Sequence, residues 1–266
     1  MKVYLCISID VEPDCSKNWL YSTPLAFKAV SVGIGGVLHP LFDQFGLQPT
    51  YLINNVVLED DESVAAFKTL EGKFELGTHL HADFIEPNKL YQDYSGKDGL
   101  VNQCYLEPEI EFGKLKNLTS MFVDRFGYPP VSFRAGRFSA GKNTIHSLAK
   151  LGYKVESSVT PNVVWNDFTR ERPVDYRNAP DQPYWTDEKS FPQQSDCKQL
   201  LQVPVTVGTK RQYGILKRPF WLRPFYSNAD EMIRLARIMI RKNQEKHVVV
   251  LNMMFHNIEV MPGLSP

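Results

Sequence analysis

An apolar run, Val3 to Ile9, breaks off into Asp10-Val11-Glu12-Pro13-Asp14, three carboxylates within five positions. A run of this length, rich in β-formers and stopped by a proline that cannot continue a ladder, reads as a strand buried on both faces. The carboxylates therefore fall where the strand leaves the core. Because they come so early, their partners must arrive from later segments, and three offer candidates: Gly77-Thr78-His79-Leu80-His81, Phe133-Arg134-Ala135-Gly136-Arg137 and Phe255-His256-Asn257.

Six more apolar runs read as strands: Pro49–Asn54, Phe74–His79, Val131–Arg134, Tyr153–Val159, Leu200–Val207 and Val248–Phe255. Between them Val37–Phe45, Glu62–Leu70, Glu107–Phe126, Asn143–Leu151 and Asn228–Asn243 carry helical spacing, with Gly46, Gly127 and Gly152 as stops. The cluster Gly33-Ile34-Gly35-Gly36 does not directly follow a strand, as a phosphate cradle requires, and reads as a loop leading into a helix. Strands alternating with helices indicate a parallel sheet joined by right-handed crossovers. Polar residues recur at the C-terminal ends of strands one, three, four and seven, which a closed barrel gathers on one rim. The predicted fold is therefore an α/β barrel of seven strands rather than an open sheet. Two polar stretches, Phe84–Tyr105 and Thr160–Lys198, read as ordered loops. Ten residues follow His256, too few for another strand and helix, so 1–266 is read as one domain truncated at its C-terminus.

His79 and His81 stand two apart, so on extended backbone both imidazoles project from one face. An arbitrary His-x-His is more often one packed and one solvated side chain. At a strand end, in a chain whose first strand ends in carboxylates, the pair favours a metal ion with a carboxylate as third ligand. Asp10 and Glu12 likewise share a face and can divide the work, one as base and one as ligand. Asp14 is equally well explained as a helix cap. Arg134 follows an apolar strand, where a guanidinium must find an anion; Asp10 is its natural partner, and the pairing lowers a carboxylate pKa. Arg137 reads as a loop or substrate residue. His256 reads as a lone imidazole on the rim and, beside the metal group, as a candidate general acid. His39, His146 and His247 receive no role. Thr209–Phe225 interleaves Lys210, Arg211, Lys217, Arg218 and Arg223 with Tyr213, Phe220, Trp221 and Phe225. A solvated loop accounts for it best; contact with a phosphate- or lipid-bearing substrate or a membrane surface is the functional alternative.

Charge and composition exclude other partners. Lys plus Arg and Asp plus Glu number 30 each, so no net field steers the chain toward nucleic acid. No apolar run approaches the roughly 18 residues of a membrane span, and no signal-peptide pattern precedes the first strand. Cys6, Cys15, Cys104 and Cys197 are widely spaced and unpatterned, as free thiols in a reducing compartment are. A cytoplasmic protein without a transmembrane segment is expected.

Taken in order, Ser8-Ile-Asp-Val-Glu, Glu75-Leu-Gly-Thr-His-Leu-His, Phe133-Arg-Ala-Gly-Arg, Glu156-Ser-Ser-Val-Thr-Pro and Phe255-His-Asn-Ile-Glu-Val-Met-Pro-Gly-Leu-Ser-Pro266 resemble the polysaccharide deacetylase superfamily, of the NodB-homology or carbohydrate esterase family 4 type. The resemblance implies a distorted seven-stranded (β/α) barrel and metal-dependent removal of an N-acyl group from an amino sugar. It implies Asp10 as catalytic base, Arg134 as its tether, His79 as a metal ligand and His256 as general acid. The motifs depart from the family pattern in three places. Val11 stands where a second aspartate is usual, so the metal carboxylate is Glu12 or Asp14, with Glu12 preferred. The family's histidine spacing falls on Asp83, and His81 is preferred as the nearer imidazole. Glu156 stands near a place where relatives tend to carry Asp. The expected activity is hydrolysis of a non-peptide C–N bond, with zinc as the divalent metal suited to nitrogen and oxygen donors. The expected substrate is an amino sugar in a polysaccharide or its nucleotide- or lipid-linked precursor. A sugar deformylase, a non-catalytic carbohydrate-binding relative and a metal-dependent phosphoesterase are the rival readings.

Overall fold

A computed structural model describes residues 1–16, 19–90, 102–165, 173–212 and 216–264. In chain order the strands are β1 (Lys2–Val11), β2 (Thr50–Asn54), β3 (Glu75–Leu80), β4 (Ser132–Ala135), β5 (Val155–Glu156), β6 (Val164–Trp165), β7 (Val174–Asp175), β8 (Tyr184–Thr186), β9 (Leu200–Gln202), β10 (Val207–Gln212), β11 (Leu216–Trp221) and β12 (Val248–His256). The α-helices are α1 (His39–Gln44), α2 (Asn55–Glu59), α3 (Asp61–Lys68), α4 (Pro108–Phe126), α5 (Lys142–Lys150) and α6 (Ala229–Lys242).

Seven of these strands form the expected curled parallel sheet, in the order β12-β1-β2-β3-β4-β5-β9. The barrel is distorted at one seam. No ladder joins β12 to β9; beyond the end of β9 the Thr206 N–H bonds the Asn252 carbonyl (3.0 Å) and Thr206 Oγ1 accepts the Asn252 N–H (2.8 Å). Pro204 accounts for the early end of β9, since it has no N–H for the ladder. The apolar runs Tyr153–Val159 and Leu200–Val207 are thus longer than the strands they contain.

Local chemistry explains the best-formed helices. Pro108 opens α4, Glu109 and Glu111 lie in its first turn, Arg125 in its last, and Gly127 at φ +80° caps it. Its buried residues Leu115, Leu118 and Phe122 follow helical spacing and join the core with Phe133, Ile145 and Leu148. Asn228 and Glu231 form a reciprocal capping box at the start of α6.

Several expectations are corrected. The first apolar run is buried only in its second half: β2 begins opposite Ser8, and Val3, Tyr4 and Leu5 are 43%, 52% and 50% exposed. The cluster Gly33–Gly36 is not a loop, because Ala29–Leu38 form a π-helical segment that runs directly into α1. A Cβ on Gly33 would stand 3.3 Å from Met261 Cγ, so this glycine lets the helix lie against the segment after β12. The stretch 160–198 contributes structure: β6 pairs with β7, and β8 adds antiparallel to β9 at the sheet edge. Thr209–Phe225 is chiefly an antiparallel hairpin, β10–β11, rather than a solvated loop. Residues 91–101 of the polar stretch after Phe84, residues 166–172, and Tyr213 lie outside the described residues. Among the described residues no helix is long and apolar enough to cross a membrane.

Gly77 shows how tightly β3 is held. A Cβ there would meet the Ser132 carbonyl oxygen at 2.7 Å and Leu52 Cδ2 at 2.8 Å. Gly77→Ala is expected to cost about 1–3 kcal/mol, measured as a lower urea midpoint at unchanged m value.

Candidate metal and catalytic site

Register brings the candidates to one rim. Asp10 of β1 lies opposite His256 of β12, Asn54 of β2 opposite His79 of β3, and His79 opposite Arg134 of β4. Alternation along β1 places Ser8 and Asp10 on the same side, and both bond Arg134.

Glu12, His79 and His81 form one cluster. Glu12 Oε1 stands 3.0 Å from His79 Nε2 and 2.7 Å from His81 Nε2. Its other oxygen, Oε2, accepts from Tyr21 OH (2.7 Å) and Asn54 Nδ2 (2.5 Å). The Asn257 side chain bonds the Glu12 main chain twice, accepting its N–H (2.8 Å) and donating to its carbonyl (2.9 Å). His79 Nδ1–H donates to the Arg134 carbonyl (3.0 Å), which fixes the tautomer and turns the Nε2 lone pair toward Glu12. A nitrogen lone pair facing a carboxylate oxygen is repulsive unless a proton or a cation lies between them. Bonds of about 2.0–2.1 Å to a tetrahedral zinc ion hold ligand atoms about 3.3 Å apart, so the cluster need only open slightly to take one. The donor set fits a divalent cation.

The electrostatics follow from burial set against these contacts. Burial alone would raise the Glu12 carboxyl, yet His81 and His79 hold it well below its ordinary value. Burial alone would lower His79, but Asp10 and Glu12 raise it; for His81 burial prevails and lowers it.

The two alternative carboxylates lie elsewhere. Asp14 accepts the Lys28 and Ala29 N–H groups (3.1 and 2.8 Å) and caps the π-helical segment. Asp83 pairs with Arg137 at 2.8 Å, which gives Arg137 a structural partner.

Arg134 is fully buried. It donates to Asp10 Oδ1 (2.7 Å), Ser8 Oγ (2.6 Å), Ser157 Oγ (3.0 Å) and the Ser157 carbonyl (2.8 Å). Burial would raise the Asp10 carboxyl, and Arg134, followed by His79 and His256, brings it below its ordinary value. Asp10 Oδ2 lies 3.8 Å from His256 Nε2.

His256 is not a lone imidazole. Its Nδ1 stands 2.8 Å from Glu259 Oε1 and 3.0 Å from Arg223 Nη2, and Trp19 meets its ring edge-on at 4.7 Å. Arg223 also pairs with Glu259 and is 2% exposed, against the rings of Phe225 and Tyr226. Its place in a basic, aromatic stretch concealed this; burial, not charge pattern, decides its role. Sequence reasoning also missed Tyr21, Asn54, Asn55, Asn257 and Glu259. For Glu259 a signal existed, since it stands three residues after His256 where the chain turns.

No protein-family model matches this chain, and no curated protein matches it. Solved structures share its fold. A candidate polysaccharide deacetylase from Mycobacterium smegmatis is 16% identical over 98% of this chain and 79% of its own, with a TM-score of 0.57. A candidate glycoside hydrolase/deacetylase from Parabacteroides distasonis is 13% identical over 96% of this chain, with a TM-score of 0.56; this chain spans 62% of it, less than two thirds. PuuE allantoinase is 13% identical over 98% of this chain and 80% of its own, with a TM-score of 0.53. The chain has the deacetylase-type fold that its motifs led us to expect.

Two outcomes follow from the buried charges. Arg134→Met strands the Asp10 carboxylate and is expected to cost about 3–5 kcal/mol at neutral pH. The depressed Asp10 pKa stabilises the wild type above the ordinary carboxylate range and that contribution fades as pH falls. Urea unfolding at pH 7 and at about pH 3, below the ordinary carboxyl value of 3.8, should therefore find the gap between variant and wild type narrower at the lower pH. Glu156 runs the other way, because burial pushes its carboxyl from 4.5 up to about 7 against a bond from the Ser158 N–H. The folded state then binds more protons than the unfolded state between those values, so stability falls as pH rises through them. Glu156→Gln should remove up to about 3 kcal/mol of that slope.

Proposed function

We propose that the protein is a metal-dependent hydrolase of non-peptide C–N bonds that removes an N-acyl group from an amino sugar. The observation that carries this reading is one rim holding a Glu-His-His cluster beside an ion-paired carboxylate, Asp10, whose second oxygen faces His256 at 3.8 Å. The names of the compared structures, deacetylases and an allantoinase, add support for hydrolytic chemistry.

Glu12, His79 and His81 would hold the cation, zinc by the donor set, and when bound it supplies a Lewis acid for the amide carbonyl and charge for the developing oxyanion. Asp10 is the base. Arg134 keeps it ionised at neutral pH and occupies Oδ1, which leaves Oδ2 to take a proton from water. His256 is the acid that protonates the departing amine from Nε2, with Glu259 receiving Nδ1–H and orienting the ring. The 3.8 Å between Asp10 and His256 is too long for a hydrogen bond, so base and acid face one shared space. All four cysteines are free, which supports a cytoplasmic, reducing setting and hence a nucleotide- or lipid-linked sugar precursor as substrate.

Elemental analysis of protein purified without a histidine tag is expected to find about one divalent transition metal per chain, lost in His79→Ala and in His81→Ala. The loaded wild type should release acetate from N-acetylated amino-sugar precursors, and Asp10→Asn should keep the metal while losing about 100-fold or more in kcat. Formate release instead of acetate identifies the deformylase variant. Loaded protein that binds such sugars but releases neither acid overturns the hydrolytic reading in favour of a carbohydrate-binding protein.

A further inference from the structure

We infer that Asn54 and Asn55, adjacent residues where β2 leaves the barrel, are positioning residues that set how the Glu-His-His cluster takes a cation. The inference rests on the metal-site reading above. Both side chains are fully buried, and a buried amide is costly unless its donors and acceptor are engaged. Each engages a different ligand. Asn54 Nδ2 donates to Glu12 Oε2 (2.5 Å) and to Tyr21 OH (2.9 Å), while its Oδ1 accepts the Val56 N–H (2.7 Å) and caps α2. Asn55 Oδ1 accepts the His81 N–H (3.2 Å), and its Nδ2 donates to the Phe84 carbonyl (3.2 Å), so it bridges the turn that presents His81. The remaining ligand, His79, is fixed by its register with Asn54 across β2 and β3.

This arrangement has a consequence for coordination. With Tyr21 and Asn54 both donating to Oε2, Glu12 offers a cation only Oε1. Tyr21 OH accepts from Asn54 Nδ2 (2.9 Å), which leaves its own proton directed to Oε2. One carboxylate oxygen and two imidazole nitrogens make a three-ligand set suited to a small tetrahedral ion, not to one that seeks six or more oxygens. Asn55 completes the set by holding the His81 backbone at the distance where both histidines reach the same oxygen.

The test uses the full chain with zinc alone as probe, by competition against a chromophoric chelator well below the melting temperature. Asn54→Ser, which keeps a capping oxygen for α2 but cannot reach Glu12, and Asn55→Ala should each lose 10- to 100-fold in zinc affinity. Leu235→Ala, a buried change on α6, should lower the melting temperature without moving zinc affinity. Cobalt(II) absorbs strongly when four-coordinate and weakly when six-coordinate; its visible band should be strong in the wild type and weaker in Asn54→Ser. Should Asn54→Ser not fold, Tyr21→Phe removes the other donor to the same oxygen without touching β2, and the same fall in affinity is expected. Folded variants that bind zinc within about twofold of wild type overturn the inference alone. A wild type that takes no zinc overturns the metal-site reading and this inference with it.

Discussion

A guanidinium with no exposed surface must be met on every side, and the four acceptors around Arg134 come from two directions across the barrel interior. Ser8 and Asp10 reach it from β1, and Ser157 from the end of β5. Beneath it Asn252 of β12 accepts from Ser8 Oγ (2.8 Å) and donates to Ser157 Oγ (3.0 Å), while Ser157 Oγ donates to the Val203 carbonyl (2.8 Å). Each hydroxyl in this ring both donates and accepts. A buried polar network of this kind stabilises through its satisfied members, and here those members span β1, β4, β12 and the segments that follow β5 and β9. The same residue lends its carbonyl to His79. Arg134 therefore sets the ionisation of one group through its side chain and the tautomer of another through its backbone.

That economy explains what could be read from the sequence. A charged residue directly after an apolar strand must find a partner, so Arg134 with Asp10, and the strand ends that carry them, were legible from the order of residue types. The seven parallel strands were legible for the same reason. Tyr21, Asn54 and Asn257 were not, because their part depends on which residues stand side by side across the rim and on loop paths that periodicity does not encode. Arg223 misled for the opposite reason: its neighbours are basic and aromatic, the pattern of a solvated surface, yet the hairpin folds it inward against His256 and Glu259. The exposed first half of β1 misled because an apolar run reports β-forming character and not burial: β12 pairs along all of that half, yet Val3, Tyr4 and Leu5 stay exposed before β2 joins at Ser8.

The rim divides into a half built on β1, β2 and β3 and a half built on β12 and the β10–β11 hairpin. The first half is rigid: Glu12 is bonded at Oε2 and at both main-chain polar groups, and the Asn257 that holds its main chain follows β12 directly. Through that asparagine the segment carrying His256 is tied to the segment carrying Glu12. Asp10 stands between the halves, with Arg134 on one oxygen and His256 across from the other. Any shift of β12 against β1 would therefore move the Glu12 backbone and the Asp10–His256 spacing together, and the long β1–β12 ladder opposes that shift.

The second half also settles its own proton geometry. Glu259 accepts from Arg223 and stands 2.8 Å from His256 Nδ1, while an Arg223 donor stands 3.0 Å from that same nitrogen. One nitrogen cannot donate to the carboxylate and accept from the guanidinium at once. If Nδ1 were the acceptor, Glu259 would face its lone pair, and the proton on Nε2 would be the only one on the ring. With Nδ1 protonated, its hydrogen bond to a carboxylate is charge-assisted and Arg223 acts on Glu259 instead, for which its planar guanidinium is suited. His256 and Arg223 hold the Glu259 carboxyl below its ordinary value despite its burial, and a proton on Nδ1 is the arrangement in which both neighbours donate to that carboxylate. Nε2 is then the atom left to face Asp10, and its protonation alone decides whether His256 can serve as an acid.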